Sequence, residues 1–203
     1  YDASYSVKAQ PGTLDMGGVL AHIRDVIPDD AIVTNGAGNF AIWPNKFLKF
    51  GPKGRLLAPQ SGAMGYGVPA AIAAKVYDQS RFVLCFAGDG DFQMNGNELG
   101  SAMQEGLPLI ILIVNNGTYG TIRMHQERNY PERVSGTDLV NPDFVKLAEA
   151  YGFYGERVEK TEDFVGAFKR ACSSKTGAIL DLVVATEAIT PRQNINDLRS
   201  LSK

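Results

Sequence analysis

The sequence has few of the residues that mark several large classes of protein. Among its 203 residues are two cysteines, two histidines and one tryptophan, and 20 Lys and Arg face 22 Asp and Glu, a net charge of -2. Cys85 falls in a predicted strand and Cys172 in a predicted helix, a setting typical of reduced thiols rather than of a disulfide or a cysteine metal site. Without a basic cluster, nucleic acid is not expected as a partner.

Long apolar segments are also missing. The longest apolar run, residues 107–114, is interrupted by Pro108. It is much shorter than the roughly 20 residues that a membrane-spanning helix needs. The first residues show no charged-then-apolar signal pattern. We therefore expect a cytoplasmic protein without a membrane segment.

The two ends of the sequence suggest where one domain lies. Tyr1-Asp2-Ala3-Ser4 contains no initiator methionine and leads through a polar stretch to Pro11-Gly12, where the first helical pattern begins. This start predicts that residues 1–12 are the remnant of a linker from a preceding domain. Residues 13–190 are predicted to form one domain with a single core, and residues 191–203 a polar tail.

Apolar runs of strand length alternate with helical patterns along the predicted domain. The strands are continuously apolar, which is typical of a parallel sheet with both faces covered. The predicted fold class is therefore α/β, a doubly wound parallel sheet with helices on both faces. Strands are predicted at 31–34, 81–87, 108–114, 154–158 and 178–184, and helices at 14–26, 66–77, 97–105, 144–151 and 162–173.

Polar loops follow two of the predicted strands, at the edge where doubly wound sheets bind ligands. They are Gly88-Asp89-Gly90-Asp91 and Asn115-Asn116-Gly117-Thr118. Their carboxylate, amide and carbonyl oxygens suit Mg²⁺, and their glycines allow close approach to a phosphate. A capping box formed by Asn95 and Glu98 is predicted to begin the next helix, whose N-terminus would favour an anion.

These two loops, with this spacing and a strand before each, resemble the GDG…NN signature of thiamine diphosphate (ThDP) enzymes. Over nearly its whole length the chain resembles the acetolactate synthase and 2-oxo acid decarboxylase group. The resemblance implies that Mg²⁺ is bound by side-chain oxygens of Asp89 and Asn116 and by the carbonyl of Thr118. It also implies that the cofactor is contacted by Gly88, Gly90, Asp91, Tyr119 and Gly120.

Two earlier segments extend the resemblance. The segment 33–40 is similar to the first strand-end loop of the group and implies diphosphate contacts from Ala37, Gly38, Asn39 and Phe40. Phe40 stands where a polar residue is frequent, which leaves backbone contacts at that position. The segment 61–71 is similar to the part of the group that lies beneath ThDP. There the resemblance implies a carbonyl contact from Gly62 to the aminopyrimidine and an apolar wedge, Met64, between the two rings.

The resemblance also implies an activity for the complete enzyme. ThDP carries the covalent chemistry on a small 2-oxo acid, and the protein supplies position and electrostatics. The activating glutamate of the family lies on a pyrimidine-binding domain, contributed by a second subunit. No catalytic residue is therefore assigned here, the isolated chain is expected to be inactive, and a homodimer or homotetramer is expected.

Substrate choice and reaction type stay open between decarboxylase and carboligase. His125 stands where acetolactate synthases have a tryptophan, which weakens the prediction of that narrow activity. A proton donor or carboxylate ligand is one interpretation of His125, and a surface or lid residue without chemistry is the favoured one.

Two other kinds of protein remain as alternatives. A dinucleotide-binding Rossmann domain could use Asn35-Gly36-Ala37-Gly38 as its glycine-rich turn, but this leaves Asp89 and Asn116 unexplained. A noncatalytic regulatory module on the same fold would be expected to lack one of the metal ligands, and both are present.

Overall fold

The computed structural model describes residues 9–201, in which six strands form one parallel sheet. The strand order is β2-β1-β3-β4-β6-β5, and every neighbouring pair is parallel. This is the α/β class predicted from the sequence. The strands are β1 (Ile32–Asn35), β2 (Arg55–Leu57), β3 (Val83–Gly88), β4 (Ile110–Asn115), β5 (Tyr154–Val158) and β6 (Ala178–Val183).

Helices connect the strands and cover the sheet. Two short 3-10 turns, Asn39–Ala41 and Gly96–Glu98, lie directly before α2 and α5. Within residues 9–201 the α-helices are α1 (Met16–Val26), α2 (Ile42–Phe47), α3 (Gly67–Tyr77), α4 (Asp89–Asn95), α5 (Leu99–Gln104), α6 (Gly120–Asn129), α7 (Phe144–Ala150), α8 (Thr161–Ser173) and α9 (Ile195–Leu201). None of them is long and apolar enough to cross a membrane.

The core consists of two apolar layers, one on each face of the sheet. Successive strand residues point to opposite faces, so Val33 packs in one layer and Ile32 in the other. The first layer contains residues of α1, α2 and α8, and the second contains residues of α3, α5 and α7. Because both faces are covered, the strands need apolar residues at consecutive positions, which explains their continuous apolar runs.

The order in which the strands are added creates a crevice at one edge of the sheet. From β1 the chain moves outward to β2, and it then returns to place β3 on the other side of β1. Crossovers on the two sides of such a switch point lie on opposite faces of the sheet. The loops after β1 and β3 therefore separate at the carboxyl ends of these strands and leave space for a ligand.

The structure corrects the prediction for the helix after β3. The predicted helix at 97–105 is present as the 3-10 turn Gly96–Glu98 followed by α5. The prediction missed a further helix, α4, which begins at Asp89 inside the Gly-Asp-Gly motif. The predicted capping box does not form, because the Asn95 side chain donates to the Gly65 carbonyl at 2.9 Å and Glu98 accepts from the Ser101 hydroxyl at 2.8 Å. These contacts with a neighbouring loop and within α5 replace the local cap that the sequence pattern predicts.

Several elements were outside the sequence predictions. β2 has three residues and lies at the sheet edge, so its apolar pattern is too short to recognise. α6 follows the second polar loop directly, and α9 occupies the predicted polar tail, with Ile195 and Leu198 buried. Residues 1–8 of the predicted linker remnant lie outside the described residues.

Candidate functional site

A cavity of about 530 Å³ lies at the carboxyl ends of β1, β3 and β4. It is at the switch point of the sheet, where the loops of β1 and β3 separate. Residues 37–40, 88–91 and 116–120, which are far apart in the sequence, lie together around this cavity. Its walls include Ala37, Gly38, Asn39, Phe40, Gly62, Met64, Gly88, Asp89, Gly90, Asp91, Asn116, Thr118, Tyr119 and Gly120, which are all the residues that the sequence assigns to metal and cofactor.

Asp89 is the first residue of α4 and is only 3% exposed. Its Oδ2 accepts hydrogen bonds from the backbone N–H of Gly117 at 2.9 Å and from the side chain of Asn141 at 2.7 Å. Its Oδ1 accepts from the backbone N–H of Gly90 at 3.0 Å. Burial raises the pKa of the Asp89 carboxyl, and a bound cation would favour its charged form. The carboxylate is thus held in one orientation, and Oδ1 keeps acceptor capacity.

The loop after β4 is held by its own side chains and by the segment 137–139. The Asn116 Oδ1 accepts from the backbone N–H of Thr118 at 3.1 Å, and the Thr118 hydroxyl donates to the Thr137 carbonyl at 2.9 Å. The backbone N–H of Leu139 donates to the Gly117 carbonyl at 2.9 Å. These bonds fix the backbone of residues 116–118 next to Asp89.

The oxygen atoms at this edge suit a magnesium ion that is also bound by an anionic ligand. Residues 9–201 contain no cluster of three His, Cys, Asp or Glu side chains that could hold a metal by themselves. Asp89 offers one carboxylate and Asn116 one amide oxygen, and the loops add backbone carbonyls. These are hard oxygen ligands of the kind Mg²⁺ prefers, and Mg²⁺ commonly completes its shell with phosphate oxygens and waters.

Asp91 joins three segments of the cavity wall. Its Oδ1 accepts from the backbone N–H groups of Ala37 at 3.0 Å and Gly65 at 2.9 Å. Burial raises the pKa of the Asp91 carboxyl to about 6. A Cβ at Gly36 would lie 2.1 Å from both of its carboxylate oxygens, so only glycine fits there. The sequence assigns Asp91 to the diphosphate, and the structure shows that its carboxylate also joins these loops.

The glycines of the Gly-Asp-Gly motif allow two aromatic rings to lie close to the backbone. A Cβ at Gly88 would be 2.8 Å from the Phe40 ring, and one at Gly90 would be 2.5 Å from the Tyr119 ring. Side chains at either position would displace these rings from the cavity wall. The apolar Phe40 ring therefore packs against the backbone of Gly88.

The first loop is also connected to α6. The backbone N–H of Asn39 donates to the Thr121 hydroxyl at 3.1 Å, and that hydroxyl donates to the Asn39 Oδ1 at 3.0 Å. His125, also on α6, is exposed and is not among the cavity-lining residues. The structure thus does not bring His125 to the site.

Three residues of the site were missed by sequence reasoning. Gly36, Thr121 and Asn141 act through contacts with Asp91, Asn39 and Asp89, and none lies within the two polar motifs. For Gly36 a signal exists, because it is part of a run of small residues after β1. For Thr121 and Asn141 the contacts are tertiary, and no local pattern marks them.

A comparison with protein families matches residues 36–182 to the model of the thiamine pyrophosphate enzyme, C-terminal TPP binding domain. The chain belongs to this family. The matched range contains the loops that carry the residues predicted to bind metal and cofactor, so the family resemblance seen in the sequence is confirmed.

Relatives of known function extend the comparison. The acetolactate synthase large subunit of Parasynechococcus marenigrum is 39% identical over 168 residues, which are 82% of this chain and 27% of that protein. The mitochondrial acetolactate synthase catalytic subunit of Saccharomyces cerevisiae is 40% identical over 154 residues, 75% of this chain and 22% of that protein. The chain therefore matches less than a third of the length of these relatives.

A solved structure shows the same fold. The thiamine diphosphate-dependent 4-hydroxybenzoylformate decarboxylase of Rhodococcus jostii RHA1 aligns with a TM-score of 0.78 and 32% identity, over 89% of this chain and 34% of that chain. Together with the family match, this identifies the chain as a thiamine pyrophosphate-binding domain of the acetolactate synthase-like enzymes.

Proposed function

We propose that this domain binds the diphosphate of ThDP through Mg²⁺, as one part of a 2-oxo acid decarboxylase or carboligase. The observation that carries the proposal is the meeting of Asp89, Asn116 and the glycine-rich loops around one cavity at the switch point of the sheet. Such a crevice is where doubly wound sheets bind phosphorylated ligands.

The metal would be held by the side-chain oxygens of Asp89 and Asn116 and by the carbonyl of Thr118. Two features support this assignment. Asp89 is already oriented by donors on its Oδ2, and the loop of Asn116 and Thr118 is held by the segment 137–139. Ligands that are ordered before the cation arrives lose little conformational freedom when they bind it.

The diphosphate would lie against the loops after β1, β3 and β4. Gly88 and Gly90 lack the side chains that would keep a phosphate from the backbone. The Oδ1 of Asp91 accepts from the N–H groups of Ala37 and Gly65, and Asp91 would therefore contact a diphosphate through its backbone. The proposed diphosphate contacts are Ala37, Gly38, Asn39, Phe40, Gly88, Gly90, Asp91, Tyr119 and Gly120.

The remaining part of the cofactor would meet the segment around Gly62 and Met64. Gly62 has a φ of 67°, a left-handed conformation that favours glycine, and its carbonyl is proposed to contact the aminopyrimidine. Met64 lines the cavity and is proposed as the apolar wedge that keeps ThDP bent. ThDP supplies, when bound, the covalent chemistry on the carbonyl of a 2-oxo acid, and this domain binds and orients it.

The rest of the activity depends on parts of the protein that this domain does not provide. We propose that a pyrimidine-binding domain of a second subunit contributes the activating glutamate, in a cytoplasmic homodimer or homotetramer. The substrate would be a small 2-oxo acid. The Rhodococcus relative is named for such a substrate, 4-hydroxybenzoylformate, and this supports the substrate class without selecting a member.

Cofactor titration tests the proposal. Trp43 is the single tryptophan of the sequence and lines the cavity, so its fluorescence should report a ligand there. We expect saturable ThDP binding in the presence of Mg²⁺ and much weaker binding when EDTA replaces the metal. NAD is titrated in parallel. ThDP binding that is equally strong with Mg²⁺ and with EDTA, or saturable binding of NAD instead of ThDP, would contradict the proposal.

A further inference from the structure

Asn141 lies outside both motifs and yet contacts the proposed metal ligand. Its Nδ2 donates to the Oδ2 of Asp89 at 2.7 Å and to the Oδ1 of Asn115 at 2.9 Å. Its own Oδ1 accepts from the side chain of Gln93 at 2.9 Å. Both ends of the amide are therefore occupied, and its orientation is defined: nitrogen toward Asp89, oxygen toward Gln93.

The hydrogen bonds continue from Asn141 into the sheet. The Asn115 Nδ2 donates to the Oδ1 of Asp181 at 2.9 Å, and the Oδ2 of Asp181 accepts from the Nε of Arg157 at 2.9 Å. Asp181 lies on β6 and is fully buried. A buried carboxylate is costly unless it is paired, and here an arginine and an amide both pair with it. A continuous chain of hydrogen bonds thus runs from Arg157 to Asp89.

The backbone around Asn141 is also well defined. Pro142 follows it and disfavours a helical conformation at Asn141. Asp143 then caps α7, with its Oδ1 accepting from the backbone N–H groups of Val145 at 3.1 Å and Lys146 at 3.3 Å. α7 packs in the core layer through Phe144, and this ties the amide to the body of the domain.

We propose that Asn141 is a positioning residue for the metal site, which orients the Asp89 carboxylate toward a bound Mg²⁺. The proposal rests on the proposed function. Oδ2 of Asp89 has two donors, Asn141 and Gly117, whereas Oδ1 has one local donor, Gly90. Because more hydrogen-bond donors contact Oδ2, this oxygen is held by the protein, and Oδ1 keeps a lone pair for a cation. Partners of this kind next to a metal ligand typically change metal affinity about 10–100-fold.

The test measures the Mg²⁺ requirement of ThDP binding in Asn141→Ala and Asn141→Leu. The second variant keeps the approximate volume of the side chain and removes the amide without adding a charge. Mg²⁺ is titrated at saturating ThDP with Trp43 fluorescence, and Mn²⁺ binding is followed by electron paramagnetic resonance. We expect the half-saturating Mg²⁺ concentration to rise about 10–100-fold in both variants. If Asn141→Ala does not fold, Asn141→Leu decides.

Asn194→Ala is the matched control. The side chain of Asn194 is also hydrogen-bonded, since its Oδ1 accepts from the backbone N–H of Asp197 at 2.9 Å, but it lies at the start of α9 and does not contact Asp89. The Asn194→Ala variant should have a lower melting temperature and an unchanged half-saturating Mg²⁺ concentration. A folded Asn141 variant whose half-saturating Mg²⁺ stays within about twofold of the native value would overturn the role of Asn141 alone. A native protein without Mg²⁺-dependent ThDP binding would overturn the proposed function as well.

Discussion

Two regions beside the same cavity are stabilised in different ways. The cofactor edge, which comprises residues 36–40, 88–91 and 115–120, is held by many short contacts between loops and α4. The α6–α9 contact contains a buried ion pair, in which the fully buried Glu127 accepts from Arg199 at 2.6 and 2.8 Å. The first region consists of a recognisable motif, and the second of residues 72 positions apart.

The difference concerns what each region can tolerate. In the cofactor edge most side chains are small or are already hydrogen-bonded, so a substitution disturbs the backbone that lines the cavity. In the α6–α9 contact the ion pair joins two helices, and its loss would weaken the attachment of α9, while the hydrogen bonds of the cofactor edge stay intact. We therefore expect substitutions at the edge to change ligand binding, and those at the helix contact to change local stability.

The largest expected effect is at Asp89. Asp89→Asn keeps the shape of the side chain and removes its charge, so Mg²⁺-dependent ThDP binding should weaken at least about a hundredfold, because losing a ligand costs more than losing a neighbour of one. Isothermal calorimetry with Mg²⁺ present measures this. Asp25→Asn, at an exposed position of α1, is the control. Equal ThDP affinity in the two variants would contradict the proposal that Asp89 is a metal ligand.

Gly36→Ala tests whether the edge depends on close packing. The new Cβ would lie 2.1 Å from both carboxylate oxygens of Asp91. Displacing the Asp91 carboxylate from its hydrogen bonds should lower the free energy of unfolding by about 1–3 kcal/mol, as overpacking commonly does, and weaken ThDP binding. Gly51→Ala is the control, since its Cβ would have no neighbour closer than 3.8 Å. Denaturant unfolding compares them, and similar stabilities would show that the loops can separate at no cost.

Glu127→Gln breaks the α6–α9 ion pair. We expect the free energy of unfolding to fall by about 1–2 kcal/mol, since Arg199 loses its charged partner but is 31% exposed and stays partly solvated. Faster hydrogen exchange should appear in α9, with ThDP affinity nearly unchanged. A large loss of ThDP affinity would show that the two regions are coupled.

The same ion pair predicts a pH dependence. The hydrogen bond from Arg199 lowers the pKa of Glu127 below its ordinary value of 4.5. A carboxyl with a lowered folded pKa stabilises the native state fully above the ordinary value, and this contribution disappears as the pH falls through the folded pKa. The stability difference between native protein and Glu127→Gln should therefore be constant above about pH 5.5 and shrink below pH 4.5. A difference that persists in acid would contradict this origin.

His125→Ala is expected to have the smallest effect. The side chain is exposed and does not line the cavity, so stability and ThDP binding should change by less than about 0.5 kcal/mol. Calorimetric ThDP titration and a thermal melt check both quantities. A tenfold change in ThDP affinity would show that α6 moves His125 into the site when the cofactor binds.

The local pattern predicted the fold class and the parallel sheet, and it singled out two of the loops that line the cavity. Continuous apolar runs identified five of the six strands, and polar, glycine-rich loops after them identified Asp89, Asn116 and their neighbours. These features are local: a buried parallel strand needs consecutive apolar residues, and a phosphate loop needs glycine and oxygen ligands within a few positions. β2 was missed because a strand of three residues is too short to show a recognisable apolar run.

The tertiary structure decided the contacts between segments. Asn141 reaches Asp89 across 52 positions and Asp91 reaches Ala37 across 54, and no local periodicity encodes either hydrogen bond. Asn95 looked like a helix cap and instead donates to the loop at Gly65. A short polar side chain can satisfy its hydrogen bonds locally or with another segment, and only the packing of the sheet and helices selects between the two.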